Sequence, residues 1–410
     1  MDTTSNRPGQ IIMKHIDTII IGGGISGISL SNKLNQAGIK NAIFEHKQIG
    51  GCIATANYKD FWFEMGAHTI YNSYSETIEF IKNKNLVEQI ATRKKLPFLF
   101  VQPNSKIQSI FTNLNWITLG VSYIKNRNIS KEELTVSEYS KKVFGAINYN
   151  NTFKYCFNAV LSQDSVNFPM EYLFKKYPRD TSFPRSFTLK KGLSSLFNNN
   201  HSNIINEEVI SIVKNIDKWI VSTNDSTYSS KNICLATPWN ITEKLLKDIL
   251  PKIANHPNRP TTSNLTSVGV VVDKKDIKQI KELSGLIGKE QFFYSAVSRD
   301  VITGKDLRAI VFHCKGHNNV ENDLIVKVAK LLKINQNQIL HTEIKYQSLP
   351  KYDKNHTKFI RDLIQELENQ DNLYITGNFF DRLAIENCIR RSNIEKNRFL
   401  KSKKIKFEKE

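Results

Sequence analysis

The chain has 410 residues, of which 40% are hydrophobic and 10% aromatic, so it can build a substantial core and wholesale disorder is excluded. Its length is typical of two or three domains, or of one large domain with an insertion. Lysine and arginine (58) outnumber aspartate and glutamate (39), which gives a formal net charge of +19. Because the basic residues are spread along the chain, we interpret the charge as a feature of composition and predict no nucleic-acid partner.

The termini carry little information about targeting. No apolar run approaches the roughly 18 residues that a membrane-spanning helix needs, and residues 1–10 lack the apolar core of a signal peptide. We therefore expect a cytoplasmic protein. Residues 1–12 are predicted to be a flexible leader. Residues 396–410, the densest basic stretch, are predicted to be a solvated tail, with weak contact to a membrane surface as the alternative.

Cysteine and histidine spacing argues against structural bridges and metals. The five cysteines are far apart and form no C-x-x-C pair, so a disulfide framework is not expected. The nine histidines show no ligand spacing such as H-E-x-x-H, and no metal site is predicted.

The strongest local pattern lies near the N-terminus. The β-branched run Ile16–Ile21 is typical of a strand buried on both faces, and the segment Ile25–Gln36 is typical of a helix. Between them, Gly22, Gly24 and Gly27 form a G-x-G-x-x-G pattern. A second predicted strand, Asn41–Phe44, is followed by an acid at Glu45.

Each part of this pattern has a physical role at a dinucleotide site. Gly22 permits a tight turn, Gly24 lets the backbone approach a pyrophosphate, and Gly27 lets the helix pack close to the strand. The first helical residues, Ile25 and Ser26, offer unpaired N–H groups and the positive end of the helix dipole to phosphates. Glu45 is placed to accept hydrogen bonds from ribose hydroxyls. The ordered combination predicts a dinucleotide-binding site.

The next two segments resemble a particular class of flavoenzyme. Gly50, Gly51 and Cys52 lie in a segment similar to the "L-G-G-R-x-x-T" motif of the flavin amine oxidase superfamily, with Cys52 in place of the usual arginine. The segment Phe63–Ile70, which contains Gly66, Ala67 and His68, resembles "F-E-x-G-P-H/R-x-L" of protoporphyrinogen oxidases and also "Y-G-A-H" of UDP-galactopyranose mutases. In both families this segment lies near the flavin, so the resemblance implies that the cofactor is FAD.

The resemblance continues in the same order to the C-terminus and is nearest to protoporphyrinogen oxidase-like oxidoreductases. It implies that the backbone at Val209 contacts the adenine and that Ala236 lies on the strand returning to the nucleotide domain. A C-terminal block resembles "L-x-L-A-G-N-Y-x-G-x-x-I-x-D-C-I" of these proteins. In that block Gly377 and Asn378 end a strand, and a helix beginning near Ala384 and Ile385 faces the flavin's pyrimidine edge, where it can stabilise negative charge.

The implied fold is α/β, with a Rossmann-like FAD-binding domain of the glutathione-reductase/amine-oxidase type and an inserted α+β substrate domain. The FAD-binding domain is predicted to be discontinuous, over 13–75, 195–255 and 365–395. The substrate domain is predicted over 76–194, mainly as helices, and over 256–364, with strands at 267–272 and 309–312.

The candidate catalytic residues are less distinctive in the sequence than the cofactor-binding motifs. His68 is the leading substrate-side candidate, for proton transfer or orientation, because the resemblance places its segment beside the flavin. Tyr294 is a weaker candidate for lining the substrate cavity. We interpret Cys52 as a small residue beside the glycines rather than a covalent flavin attachment point, and His313 as structural. No lysine of the kind that monoamine oxidases carry near the flavin can be placed.

Three functions are compatible with these patterns. The first is an FAD-dependent oxidase or dehydrogenase that takes a hydride from a C–H next to nitrogen, or from a porphyrinogen-like or specialised-metabolite substrate, with O2 or another acceptor reoxidising the flavin. The second is a redox-neutral flavoenzyme resembling UDP-galactopyranose mutase. The third, a scaffold that binds polyanions through its charge, fits the dispersed basic residues least well. The substrate, the acceptor and the oligomeric state stay open.

Overall fold

The structure is a computed structural model that describes residues 13–198, 203–302, 304, 306–317 and 321–407. The predicted leader at 1–12 and residues 408–410 lie outside the described residues. Within them, the helices are α1 (Ile25–Gln36), α2 (Ser75–Asn83), α3 (Trp116–Asn126), α4 (Val136–Phe144), α5 (Ala146–Asn148), α6 (Lys154–Leu161), α7 (Trp239–Leu246), α8 (Pro251–Ala254), α9 (Glu321–Leu332), α10 (His356–Glu368) and α11 (Ile385–Phe407).

The strands of the described residues are β1 (Lys14–His15), β2 (Thr18–Ile21), β3 (Ala42–Phe44), β4 (Thr55–Tyr58), β5 (Phe61–Glu64), β6 (Ile70–Tyr71), β7 (Ile90–Thr92), β8 (Phe98–Val101), β9 (Ile107–Ser109), β10 (Ser186–Leu189), β11 (Asn203–Ile205), β12 (Val209–Lys214), β13 (Trp219–Thr223), β14 (Thr227–Ser230), β15 (Asn232–Leu235), β16 (Thr261–Asp273), β17 (Gly285–Gly288), β18 (Phe293–Ser298), β19 (Leu307–Lys315), β20 (Ile339–Lys351) and β21 (Leu373–Ile375).

The first of the two largest sheets is parallel and has five strands in the order β11-β3-β2-β15-β21. Every residue of β2, β3, β15 and β21 is buried, as expected of a parallel sheet covered on both faces. Helices α1 and α11 pack against each other on one face, and α7 and α10 contribute to the apolar cluster on the other. The predicted helix Ile25–Gln36 is confirmed at both ends, whereas β2 begins at Thr18, two residues after the predicted start.

The second large sheet has seven strands in the order β20-β16-β19-β18-β17-β8-β9. The predicted strands at 267–272 and 309–312 are confirmed as parts of β16 and β19, which pair antiparallel. The prediction that 76–194 is mainly helical is incomplete, because β8 and β9 of this segment extend the large sheet and β10 pairs with both β6 and β7. These strands are short, and apart from the local β8–β9 pair their pairing partners lie far away in the sequence.

The predicted basic tail begins inside α11. Phe399 is 1% exposed and packs its ring against Tyr374 of β21, with 4.8 Å between ring centroids. Arg398 donates a hydrogen bond to the carbonyl of Leu367 at 3.0 Å and another to the carbonyl of Leu373. The helix therefore holds these residues against the parallel sheet, in contrast to the solvated tail expected from the charge. No helix among the described residues is both long and apolar enough to cross a membrane.

Candidate functional site

The glycine loop after β2 is shaped by close backbone contacts. Gly22 has φ +108°, and a Cβ at this position would lie 2.7 Å from the carbonyl oxygen of Ala236. A Cβ on Gly27 would lie 2.0 Å from the carbonyl oxygen of Gly22. Both positions therefore require glycine, the first for the turn and the second for the approach of α1 to β2, as the sequence predicts. Ala236, which follows β15, is one wall of this turn.

Gly24 differs from Gly22 and Gly27 because its backbone conformation does not require glycine. Its backbone is extended (φ −72°, ψ 179°), and a Cβ there would meet no atom of the described residues within 4 Å. Gly24 is also the N-cap of α1, and no described side chain caps the helix. The start of α1 thus combines a first turn without a side-chain cap and open space beside Gly24, which is the arrangement that binds a phosphate.

The carboxylate of Glu45 closes one side of this loop. Its Oε2 accepts a hydrogen bond from the N–H of Gly23 at 2.9 Å, and its Oε1 accepts one from the N–H of Lys47 at 2.8 Å. The N–H of Glu45 donates to the carbonyl of Ile205 at the end of β11. Val209, which begins β12, follows shortly after. Glu45 and Val209 thus lie along the same edge, beyond the glycine loop, where the sequence predicts the adenosine end of the cofactor.

Two further segments pack onto the glycine loop. The N–H of Gly50 donates to the carbonyl of Gly23 at 2.9 Å, which ties the 50–52 loop to the first glycine motif. A Cβ on Gly66 would lie 2.1 Å from the carbonyl oxygen of Cys52, and the N–H of Ala67 donates to that same oxygen at 3.3 Å. The structure therefore brings Gly22–Gly27, Gly50–Cys52 and Gly66–His68 together at the carboxyl edge of the parallel sheet.

The C-terminal block reaches the same edge. Gly377 and Asn378 follow β21, and the carbonyl of Asn378 accepts a hydrogen bond from the Tyr352 hydroxyl at 2.5 Å. Helix α11 begins at Ile385, directly after Ala384, as the sequence predicts. Its Ser392 hydroxyl donates to the carbonyl of Ser26 in the first turn of α1 at 2.9 Å. Because β2 and β21 run parallel in one sheet, both helices start at this edge.

His68 is half-buried at the end of the 66–68 segment. A hydrogen bond of 3.2 Å joins its Nδ1 to the carbonyl of Gly66, so Nδ1 carries the proton and Nε2 is the free acceptor. Nη1 of Arg93 donates to the carbonyl of His68 at 2.5 Å. Burial, and then the charges of Arg93 and His313, lower the pKa of His68 to about 3. His68 is therefore neutral at physiological pH, which favours orientation by hydrogen bonding over proton transfer.

The large sheet presents a polar cluster of which the sequence analysis singled out only His313, as a structural residue. Ser267 of β16 is in register with His313 on one side and Lys345 on the other, and its hydroxyl lies 3.0 Å from Nδ1 of His313. Nζ of Lys345 donates to the carbonyl of Gly51 at 2.9 Å, so a lysine does contact the 50–52 loop. The signal for this cluster is Ser267 itself, a buried polar residue in the middle of β16, directly before its valine-rich run.

Glu64 is a second buried group that sequence reasoning did not single out. Its Oε1 accepts from the N–H of Leu193 at 2.6 Å, and its Oε2 accepts from the Thr55 hydroxyl at 2.9 Å. Burial raises the pKa of Glu64 to about 7, although these hydrogen bonds and the charges of Arg93 and Arg299 oppose the rise. Glu64 thus anchors the β4–β5 hairpin to the turn that follows β10.

Tyr294 and Cys52 make few polar contacts that point to a catalytic role. The Tyr294 ring lies under the Lys315 ammonium at 5.3 Å, and no hydrogen bond or ring contact links it to His68 in the described part of the chain. Burial raises the pKa of the Cys52 thiol, and the Lys345 charge opposes this. The thiol is therefore neutral, as expected of a small packing residue. All five cysteines are free thiols.

A family model matches one segment in the N-terminal part of the chain. Residues 20–83 match the family model of the NAD(P)-binding Rossmann-like domain. This range runs from β2 through the glycine loop and the 50–52 and 66–68 segments to α2. The chain therefore contains a Rossmann-like dinucleotide-binding domain at the position where the glycine motif predicts it.

Solved structures extend the likeness to nearly the whole chain. A protein described as a protoporphyrinogen oxidase from Exiguobacterium sp. 255-15 has a TM-score of 0.77 at 14% identity, covering 95% of this chain and 99% of its own. Putrescine oxidase bound to putrescine has a TM-score of 0.71 at 11% identity, with the same coverage. A CLA-producing fatty acid isomerase from P. acnes has a TM-score of 0.69 at 14% identity, covering 92% and 97%. A search of curated protein sequences gave no match.

These comparisons establish the fold. The chain has the fold of protoporphyrinogen oxidases and amine oxidases, which confirms the α/β class with a Rossmann-like domain and the resemblance predicted from the sequence. At identities of 14% and below, the comparisons leave the chemistry to be argued from the residues of the site.

Proposed function

We propose that the chain is an FAD-dependent oxidoreductase. It takes a hydride from a C–H next to nitrogen, or from a porphyrinogen-like or specialised-metabolite substrate, and passes the electrons to O2 or another acceptor. The observation that carries this proposal is the open space at Gly24, at the uncapped start of α1, with the 50–52 and 66–68 segments packed beside it. The fold of the oxidase neighbours supports it.

The residues present fit FAD from end to end. The N–H groups of Ile25 and Ser26 are suited to the pyrophosphate, and Gly24 leaves the space that it needs. The Glu45 carboxylate and the backbone at Val209 would hold the adenosine. Around the ring system we assign Gly50, Gly51, Cys52, Gly66 and Ala67 on one side and Gly377, Asn378, Ala384 and Ile385 on the other. Bound FAD supplies the hydride acceptor, at N5, that no amino-acid side chain offers.

The chain's own groups position the substrate and shield it from water. His68 is neutral and presents Nε2 as an acceptor, so it can hold an N–H of the substrate and orient the carbon that loses the hydride. With a pKa of about 3, it is a poor base, so the substrate proton is not taken by His68. The Lys345 ammonium, which donates to the Gly51 carbonyl, would supply a positive charge beside the 50–52 loop and so favour a reduced, negatively charged cofactor there.

A redox-neutral flavoenzyme is the second candidate. One structural neighbour is an isomerase, so this fold also serves a reaction without net oxidation. The two candidates differ in one cheap measurement. An enzyme that uses reduced flavin in a redox-neutral cycle requires dithionite before it turns over, whereas an oxidase works aerobically and its flavin bleaches when substrate is added without oxygen.

The decisive experiment is the visible spectrum of the purified protein, followed by denaturation. A two-banded flavin spectrum with free FAD released on denaturation would support the proposal. FAD that stays with the denatured chain would point to covalent attachment at Cys52. A colourless protein that also fails to take up added FAD would refute the enzyme proposal.

A further inference from the structure

A narrow cavity lies beside His68, between the β4–β5 hairpin and the seven-stranded sheet. Its walls are apolar side chains of β5, β18 and β19. Its polar lining groups are Glu64, His68, Arg93, Thr188, Ser298 and Arg299. The proposed flavin chemistry uses His68 but assigns no role to the two arginines or to Thr188.

The arginines bring more positive charge than the described residues neutralise. Neither Arg93 nor Arg299 has a carboxylate within 4.0 Å in the described part of the chain, although both interact with the charge of Glu64 at longer range and Arg299 also interacts with that of Asp300. Their hydrogen bonds go to backbone carbonyls, from Arg93 to His68 and from Arg299 to Trp62 and Ile302. Since His68 is neutral, the cavity holds two cations against one carboxyl group. A buried excess of this kind favours an anionic ligand.

The acids nearest to Arg299 are already engaged. Asp300, its neighbour in sequence, accepts from Nε of Arg308 at 2.9 Å and from Nη2 of Arg308 at 2.5 Å. Glu282 pairs with Lys274 at 2.7 Å. Glu64 directs both of its oxygens to Leu193 and Thr55. The guanidinium of Arg299 instead stacks over the Trp62 ring, 4.3 Å from its centroid, which fixes it at the cavity wall.

Thr188 provides an independent indication of a ligand. It lies on β10, is 1% exposed and lines the cavity, yet its buried hydroxyl oxygen has no hydrogen-bond partner among the residues that the structure describes. A buried hydroxyl that lacks a partner costs roughly 1–3 kcal/mol, so such groups generally have one in the functional state. A ligand with acceptor oxygens would satisfy it.

We propose that this cavity is a carboxylate-binding site, in which Arg93 and Arg299 pair with the carboxylate and the Thr188 hydroxyl donates to it. Guanidinium groups match the planar geometry of a carboxylate, and the narrow space suits one such group with its chain leading away. The carboxylate belongs either to the substrate, which rests on the proposed oxidoreductase function, or to a free small acid.

The test is calorimetric titration of the full-length protein with sodium acetate, with acetamide as the uncharged isostere and sodium chloride at matched ionic strength. Acetate should bind once per chain and acetamide should not. Arg93→Met and Thr188→Val should each weaken acetate binding about tenfold or more, the loss of one charge-assisted hydrogen bond. The exposed Arg361→Met is the matched control and should bind as wild type does.

Thr188→Val also separates binding from folding. Valine has nearly the shape of threonine, so removing an unpartnered hydroxyl should leave the melting temperature equal or higher in the absence of acetate. A lower melting temperature would mean that the hydroxyl has a partner within the protein, and the proposal would fail. It would also fail if acetamide bound as well as acetate, or if Arg361→Met weakened binding as much as Arg93→Met.

The source of the carboxylate is settled by anaerobic bleaching of the flavin. If substrate acids reduce the flavin faster than their methyl esters, and Arg93→Met abolishes the preference, the carboxylate belongs to the substrate. If acetate binds but acids and esters react alike, the site takes a free acid. Acetate titration does not depend on FAD, so a failure of this site and a failure of the proposed flavin chemistry are distinguishable.

Discussion

Substitution of Gly24 tests the phosphate site without disturbing the fold. A Cβ at Gly24 would meet no atom within 4 Å in the part of the chain that the structure describes, and its φ of −72° is open to any residue. We therefore expect Gly24→Val to change the stability of the FAD-free protein by less than about 1 kcal/mol, roughly the difference between glycine and a poor N-cap residue. The valine side chain would nevertheless fill the space assigned to the pyrophosphate, and FAD binding should be lost.

Gly27→Ala is the matched control in the same motif. Its Cβ would lie 2.0 Å from the carbonyl oxygen of Gly22 and 3.3 Å from Cβ of Ala236. Helix α1 would have to move away from the sheet, and overpacking of this kind typically costs about 1–3 kcal/mol. The two variants should therefore differ in stability: Gly24→Val should fold normally but contain no FAD, whereas Gly27→Ala should be destabilised.

The assay combines the FAD content of the purified protein with its thermal unfolding after the cofactor is removed. Far-UV circular dichroism follows the unfolding, and the absorbance of released FAD gives the stoichiometry. If Gly24→Val retains one FAD per chain, the phosphates do not lie beside Gly24 and the placement of the cofactor is wrong. If the FAD-free Gly24→Val unfolds as readily as Gly27→Ala, the space beside Gly24 is not open in solution.

Three further variants test individual groups of the site. The pKa of Glu64 is raised from 4.5 to about 7, so its contribution to the free energy of unfolding is fully present below pH 4.5 and is lost as the pH rises through 7. Denaturant unfolding should show that the protein loses about 3 kcal/mol of stability over this pH range and that Glu64→Gln does not. Lys345→Met should lower the flavin midpoint potential by about 30 mV, equivalent to ~1.4 kcal/mol for two electrons, whereas the exposed Lys351→Met on the same strand should not. His68→Asn should keep its FAD and slow anaerobic flavin reduction by about 10–100-fold. The pH profile of the reduction rate should keep its shape, because a pKa of about 3 leaves His68 neutral throughout. If the variant loses an inflection near pH 6 that the wild type shows, His68 titrates there and this reasoning is wrong.

The part of the site that could be predicted from the sequence is the part encoded contiguously. Strand β2, the glycine loop, α1 and β3 follow one another within a short stretch, and each has its own local signature in apolar runs, glycines or helical spacing. Gly22 and Gly27 are required by contacts with backbone atoms of the same unit or of the adjacent β15 segment. Local patterns therefore suffice to place α1 at both of its ends.

The residues that were missed become neighbours only through long-range pairing. Ser267 meets His313 and Lys345 because β16 lies between β19 and β20, and nothing local to these residues gives the register. Arg93 and Arg299 meet for a similar reason, since one follows β7 and the other follows β18. Each looks like an ordinary polar residue in its own segment, so its role is invisible until the sheet order is known.

The C-terminal helix shows a subtler limit of pattern reasoning. Its buried stripe runs at helical spacing through Ile385, Cys388, Ser392, Glu395 and Phe399. The stripe continues regularly into the basic stretch, but two of its members are polar, and a search for apolar periodicity therefore ends before Ser392.

Those two polar residues are buried because each has specific partners. The Ser392 hydroxyl donates to Ser26, and the Glu395 carboxylate accepts from Arg391 and, at 2.8 Å, from Arg398. A buried carboxylate is tolerated only when it is paired in this way, so the surrounding arginines neutralise an internal charge instead of forming a solvated tail. Counting charges along the chain cannot distinguish these cases, because the distinction depends on which side of the helix each charge lies.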